Sequence, residues 1–205
     1  MNEIVLPAVG SPKHLIFLFH GYGANKEGMQ FLGAAFSKAM PSAEVHIPDG
    51  FSLDEKEEER RAWFPMLCED SDGLGDELHV VQPHIVRYID EVKGNYNLEY
   101  SDVILSGFSQ GAMLSLSFGI FLNVKAVISF AGALLKPSDF LRKCDTKVLI
   151  AHGESDNVMP LEEAKSTERI LKQAGVDVQM ITSKNLFHAV DERLLNGAVD
   201  FLTRL

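Results

Sequence analysis

The chain has 205 residues, 46% hydrophobic and 23% charged, enough for one domain with a full core and far from the profile of a disordered segment. Nineteen Lys and Arg against 29 Asp and Glu leave a formal charge of -10 with the basic residues scattered, which excludes a basic nucleic-acid-binding stripe and disfavours residence on anionic lipid. Cys68 and Cys144 have no paired spacing, so free thiols in a reducing compartment are expected rather than a disulfide framework or a zinc site. An acid stands where a signal peptide has its positive start, and no apolar run reaches bilayer length, so the expectation is a cytoplasmic protein without stable membrane insertion.

In chain order, His14 to Phe19 is a short apolar run, as in a strand buried on both faces, and it feeds the loop His20-Gly21-Tyr22-Gly23. Lys26 to Met40 carries apolar residues at a helical period and stops at Pro41; Val45 to Ile47 reads as the next strand, closed by Pro48. Residues 49–76 break the rhythm, with a charge run at Asp54 to Arg61 followed by Ala62-Trp63-Phe64-Pro65. A connection this long is expected to be a lid or pocket excursion, and its charge run a solvated surface. Leu78 to Val92 is periodic enough for a helix. Val103 to Ser106 is an apolar strand running into Gly107-Phe108-Ser109-Gln110-Gly111 and a helix from Gly111 to Leu122. A strand at Lys125 to Phe130, a second at Val148 to Gly153, a helix from Leu161 to Ala174 capped by Gly175, a last strand at Val176 to Ile181 and an amphipathic helix from Asp191 complete the chain. This alternation predicts an α/β fold, one domain over residues 1–205 with a mostly parallel sheet and helices on both faces.

Gly-x-Ser-x-Gly between strand and helix is the pattern of a nucleophile elbow, in which the glycines permit a strained turn and the helix N-terminus faces the developing charge. Ser109 is the candidate nucleophile. A serine hydroxyl needs a base, and the base needs a carboxylate to orient it. His188 follows the last strand and Asp156 the penultimate one, giving the nucleophile, acid, base order of the α/β-hydrolase fold. Glu154 and Asp191 are rival orienters. For the oxyanion, Gln110 offers its amide as the residue after the nucleophile, and the glycine loop offers a second, Tyr22 first and Gly23 next. His20 is expected to brace that loop. Trp63 and Phe64 read as core or lid packing before substrate contact; if they border the site they form an apolar acyl wall, which Met66, Met113, Leu134, Leu135 and Met159 could complete.

These segments resemble the carboxylesterase/phospholipase family of small α/β hydrolases, which includes acyl-protein thioesterases and lysophospholipases. The likeness runs through Phe19-His20-Gly21-Tyr22-Gly23-Ala24, Arg61-Ala62-Trp63-Phe64, Gly107-Phe108-Ser109-Gln110-Gly111-Ala112, the segment from His152 to Pro160 and Phe187-His188-Ala189-Val190. It implies oxyanion donors at Tyr22 and Gln110, a triad of Ser109, Asp156 and His188, no cofactor or metal, and a homodimer as a frequent assembly. Two positions depart from the family pattern: Pro65 where an acid usually follows Trp-Phe, and Phe187 where Gly commonly precedes the histidine. The expected activity is a serine carboxylesterase acting on small-molecule esters of short to medium acyl chain. Lysophospholipid or acyl-thioester hydrolysis is the alternative, and a catalytically idle binding module the third reading. The strand ending at Phe19 leads into His-Gly-Tyr-Gly, so a dinucleotide fingerprint is absent.

Overall fold

The structure is a computed structural model, and it describes residues 1–53, 59–68 and 70–205. Among the described residues, nine strands and six α-helices follow in the order β1 Glu3–Leu6, β2 His14–Phe19, α1 Gln30–Ala39, β3 Ala43–Pro48, β4 Phe51–Ser52, β5 Arg61–Ala62, α2 Ser71–Gly94, β6 Val103–Phe108, α3 Gln110–Leu122, β7 Ala126–Phe130, α4 Pro137–Phe140, β8 Lys147–Gly153, α5 Leu161–Gln173, β9 Asp177–Ser183 and α6 Glu192–Leu202. Seven strands form the main sheet in the order β1-β3-β2-β6-β7-β8-β9, and β4 and β5 form a small hairpin beside it. Only β1 runs antiparallel to its neighbour in the main sheet, pairing Ile4 with Ile47.

The apolar runs seen in the sequence occupy the centre. Leu15 to Phe19 of β2 and Val103 to Leu105 of β6 are fully buried, as parallel strands covered on both faces must be. Alternate side chains divide the core. Leu15, Phe17 and Phe19 point to the face covered by α2, α3 and α5, whereas Ile16 and Leu18 meet α1 and α6 on the other. Helix α3 is buried almost all round, which explains its uniformly apolar sequence.

Several elements differ from expectation. Strands β1, β4 and β5 and the short helix α4 have no counterpart among the expected elements. Helix α2 begins at Ser71, two turns before the periodic stretch, because the Asp70 carboxylate accepts the Gly73 amide at 2.8 Å and caps it. The expected excursion at 49–76 therefore ends in a helix and begins in the β4–β5 hairpin; most of its charge run, residues 54–58, lies outside the described residues. Finally, Lys26–Met29 is a 3-10 turn, with Asn25 Oδ1 accepting from Gly28, so the α-helix itself starts at Gln30. Among the described residues no helix is long and apolar enough to cross a membrane.

Candidate active site

From β2 the chain steps outward to β3; from β6 it steps the other way through β7 and β8 to β9. The order reverses between β2 and β6, which pair Phe19 with Gly107. Such a reversal leaves a crevice at the carboxyl ends of the two strands, where open α/β sheets bind ligands. The loop His20–Gly23 leaves one strand there and Ser109 the other.

Ser109 has φ 53° and ψ -115°, a left-handed conformation that costs a serine on the order of 1–3 kcal/mol. The surroundings hold it. Its amide donates to the Phe130 carbonyl at 2.9 Å, and its own carbonyl accepts from Ala112 and Met113 in the first turn of α3. Both flanking glycines are required by close approach. A Cβ at Gly107 would lie 2.3 Å from the Gly111 carbonyl carbon, and one at Gly111 would lie 2.1 Å from the Phe19 carbonyl oxygen. Helix α3 thus starts hard against β2, with its unpaired amide end beside Ser109.

Across the sheet, the loops after β8 and β9 are sewn together by backbone bonds from Glu154 to Ser183 and from Ser155 to Leu186. His188 Nδ1 hydrogen-bonds Asp156 Oδ2 at 2.7 Å, while Asp156 Oδ1 accepts the amides of Val158 and Met159 at 2.9 Å each. Burial pushes the Asp156 carboxyl up, but the Met159 amide, the His188 ring and the Val158 amide outweigh it and leave it below the usual carboxylate range. The rival acids are occupied elsewhere. Glu154 accepts from the Thr182 hydroxyl, and Asp191 caps α6 through the Leu194 amide and binds the Ser183 hydroxyl. The His188 ring stands 4.8 Å from that of Phe108, the residue before Ser109, which brings the base loop over the elbow. Its Nε2 has no protein partner among the described residues.

His20 braces the glycine loop. Its Nε2 accepts the Gly50 amide at 2.9 Å, so Nδ1 carries the proton and donates to the Gly21 carbonyl at 2.8 Å. Burial holds its pKa down, in keeping with a neutral ring. The Gly23 amide is already committed to the Arg61 carbonyl at 2.8 Å. That removes it from the oxyanion candidates and leaves Tyr22 and Gln110.

The Gln110 side chain supplies a link that sequence reasoning missed. Its Oε1 accepts the Trp63 amide at 2.9 Å and its Nε2 donates to the Phe64 carbonyl at 2.7 Å, while the Trp63 indole donates to the His20 carbonyl. Trp63 is fully buried against Phe19 and His20. It clamps the elbow to the glycine loop. The possible signal was the polar Gln at a helix start that is otherwise apolar.

Two cavities flank the elbow on opposite faces of the sheet. One, of about 350 Å³, is lined by Met113, Leu134, Leu135, Met159 and Leu74, with Asp70 and Glu163 also on its wall. Leu134 and Met159 both line that cavity; Trp63 and Phe64 do not, and instead line a groove with Phe51 and Val80. The other cavity, of about 190 Å³, lies between Gly21, Phe108 and Val190.

Comparison with known proteins shows the family. The family model described as Phospholipase/Carboxylesterase matches residues 1–205. The chain belongs to that family. Among curated relatives, Esterase YpfH of Escherichia coli is 28% identical over 197 residues, covering 93% of this chain and 82% of that protein. Acyl-protein thioesterase 1 of Candida albicans is 24% identical over 100% of this chain and 98% of its own length. Among solved structures, esterase PE8 superposes with a TM-score of 0.89 at 27% identity, covering 98% of this chain and 97% of that one.

Within the phospholipase/carboxylesterase frame the two departures fall at the surface. Pro65 lies on the groove beside Phe51, away from the Leu134 cavity. Phe187 is 62% exposed, and its carbonyl closes a tight turn with the Ala189 amide at 2.8 Å. With both residues in place, His188 keeps its 2.7 Å hydrogen bond to Asp156.

Proposed function

We propose that the protein is a serine hydrolase that cleaves short- to medium-chain carboxylic esters through an acyl-enzyme on Ser109. The observation that carries the reading is the His188 ring, held to Asp156 at 2.7 Å and packed on Phe108 beside a strained serine. Ser109 Oγ attacks the ester carbonyl as His188 Nε2 takes its proton, and the Tyr22 and Gln110 amides receive the developing oxyanion. The imidazolium, stabilised by ionised Asp156, then gives its proton to the departing alkoxide. Water enters, loses a proton to His188, and releases the acid and free serine. Ser109 Oγ and His188 Nε2 are not hydrogen-bonded here; such contacts often close only on a bound substrate.

The Leu134–Met159 cavity offers the acyl chain an apolar wall of limited volume, which favours short and medium chains. Hydrolysis of acyl thioesters or lysophospholipids is the second reading, supported by the likeness to acyl-protein thioesterase 1. A chain-length series of p-nitrophenyl esters, acetate to palmitate, tests both on wild type and Ser109→Ala. Serine-dependent turnover peaking at short chains supports the esterase, a peak at long chains puts the second reading first, and no turnover at any length leaves the idle binding module. Ser109→Ala is expected to lower kcat by about 10⁴-fold or more with a melting temperature close to wild type, since alanine keeps the Cβ and meets the same turn.

A further inference from the structure

We propose that the second cavity is a leaving-group subsite, and that it makes esters of uncharged, apolar alcohols the preferred substrates. The proposal rests on Ser109 as nucleophile and His188 as base. The base must return its proton to the departing oxygen, so the alcohol portion has to lie against the imidazole. The cavity is placed there. Its wall includes Ala189 and Val190, the two residues after His188, and Phe108, whose ring contacts the imidazole at 4.8 Å. Against Phe108 stands Gly21, where an added Cβ would sit 3.3 Å from the Phe108 ring and 3.5 Å from the Ser109 Cβ. The Leu134–Met159 cavity belongs to the other face of the sheet, so acyl and alcohol portions part at Ser109 into separate spaces.

The lining fixes the chemistry. None of the residues lining this cavity carries a charge, and Met29, Phe31, Leu32 and Val190 give its wall apolar side chains. The one polar side chain, Asn25, is occupied, its amide donating to the Glu59 carbonyl and its oxygen accepting from Gly28. A choline, phosphate or zwitterionic alcohol would leave water without gaining a partner. An alkyl or benzyl alcohol gains with each methylene buried. Phe31, 50% exposed, continues the apolar wall toward solvent.

The test holds the acyl group as butyrate and varies the alcohol, following acid release by pH-stat titration on wild type, with Ser109→Ala as control. Methyl, ethyl, propyl and butyl esters have leaving groups of similar basicity, so their ratios report binding. We expect kcat/KM to rise about three-fold per methylene. 3,3-Dimethylbutyl butyrate, the uncharged isostere of butyrylcholine, should be preferred over it by at least ten-fold. Gly28→Leu adds a side chain where a Cβ meets no atom within 4 Å and should lower the butyl-to-methyl ratio at least five-fold. Phe31→Asp puts an acid in the first turn of α1, a position that a helix favours, and should move the isostere-to-choline ratio at least ten-fold toward choline. A flat alcohol series with serine-dependent turnover overturns the subsite alone. So do variants that leave both ratios unmoved, or that shift the acyl-length profile at fixed methyl alcohol instead. Absence of any Ser109-dependent turnover overturns the catalytic reading and the subsite with it.

Discussion

Two histidine–carboxylate constellations of nearly equal hydrogen-bond length stand at different places in the sheet. At the carboxyl ends of the strands, His188 meets Asp156 at 2.7 Å. At the β1–β3 edge, His46 meets Glu3 at 2.8 Å and Glu44 at 3.0 Å, and those carboxylates accept the hydroxyls of Tyr88 at 2.5 Å and Tyr96 at 2.7 Å. What separates them is completeness. Both nitrogens of His46 are taken and its side chain is 6% exposed, whereas His188 keeps one nitrogen unpartnered beside a serine and is 18% exposed. A satisfied buried network fixes β1, β3 and α2 to one another; an unsatisfied pair can accept a proton from something else. Bond length alone would not tell the two apart.

The largest expected effect breaks the comparison on the catalytic side. Asp156→Asn should cut kcat roughly 10³- to 10⁴-fold, because an amide at Oδ2 favours the wrong imidazole tautomer. Steady-state kinetics with a short-chain ester measure it. Glu154→Gln, which touches only Thr182, should retain wild-type rates; the reverse ranking of the two variants would move the orienter to Glu154.

The mirror experiment is His46→Ala, which leaves two carboxylates at the edge without the ring that separates them. Removing one member of a largely buried charged network costs about 3 kcal/mol, read as a lower urea midpoint. Ester hydrolysis per folded molecule should stay within two-fold of wild type. A loss of kcat in His46→Ala with unchanged stability would show the two regions to be coupled through β3 and β2.

Acid titration sharpens the same contrast. Burial raises the Glu3 carboxyl, but the His46 ring and the Tyr88 hydroxyl outweigh it, so Glu3, like Asp156, is held below its ordinary value. A carboxyl with a lowered folded pKa stabilises the native state fully above its unfolded value, about 4. That contribution is lost as the pH falls through the lowered folded value. Wild-type melting temperature should therefore fall steeply below about pH 4, after a shallower decline that begins near the ordinary histidine value, where unfolding lets the buried neutral His20 take up a proton. Glu3→Gln should start lower and fall less steeply, as thermal melts from pH 2 to 7 would record.

Much of this architecture was legible because the central strands are continuous apolar runs. β2, β6, β7 and β8 need burial on both faces, and the chain says so locally. β1 was not legible: Glu3-Ile4-Val5-Leu6 is half-buried at an edge, and only its pairing with β3, some 40 residues on, makes it a strand. The first turns of α2 hid behind Gly73 and Gly75, poor helix formers; a Cβ at Gly75 would meet that of Lys136 at 2.3 Å, so a contact distant in sequence selects the glycine. At the site, order along the chain pointed to Ser109, Asp156 and His188, with Glu154 and Asp191 left as rival orienters. That choice depends on how the loops after β8 and β9 are cross-bonded. The place of Trp63 was equally hidden, since its partner Gln110 lies 47 residues away.

The smallest predicted effect lies inside the structural network and compares its two tyrosines. Tyr88 is 6% exposed, stacks edge-on against Phe17 at 5.5 Å and donates to Glu3; Tyr96 is half-buried and donates to Glu44. Burial and the carboxylate raise the Tyr88 hydroxyl pKa far above its ordinary value, so it remains a donor across the physiological range. In Tyr88→Phe the Glu3 oxygen loses a donor that water cannot readily replace, at about 1–2 kcal/mol. In Tyr96→Phe the vacated hydroxyl position belongs to a half-buried side chain, so water is expected to take over part of the bond even though Glu44 is itself buried, and the loss should be about 0.5 kcal/mol. Urea unfolding of the two variants side by side gives the ranking; equal losses would mean that the hydroxyl partner, rather than its isolation from water, sets the strength of this clasp.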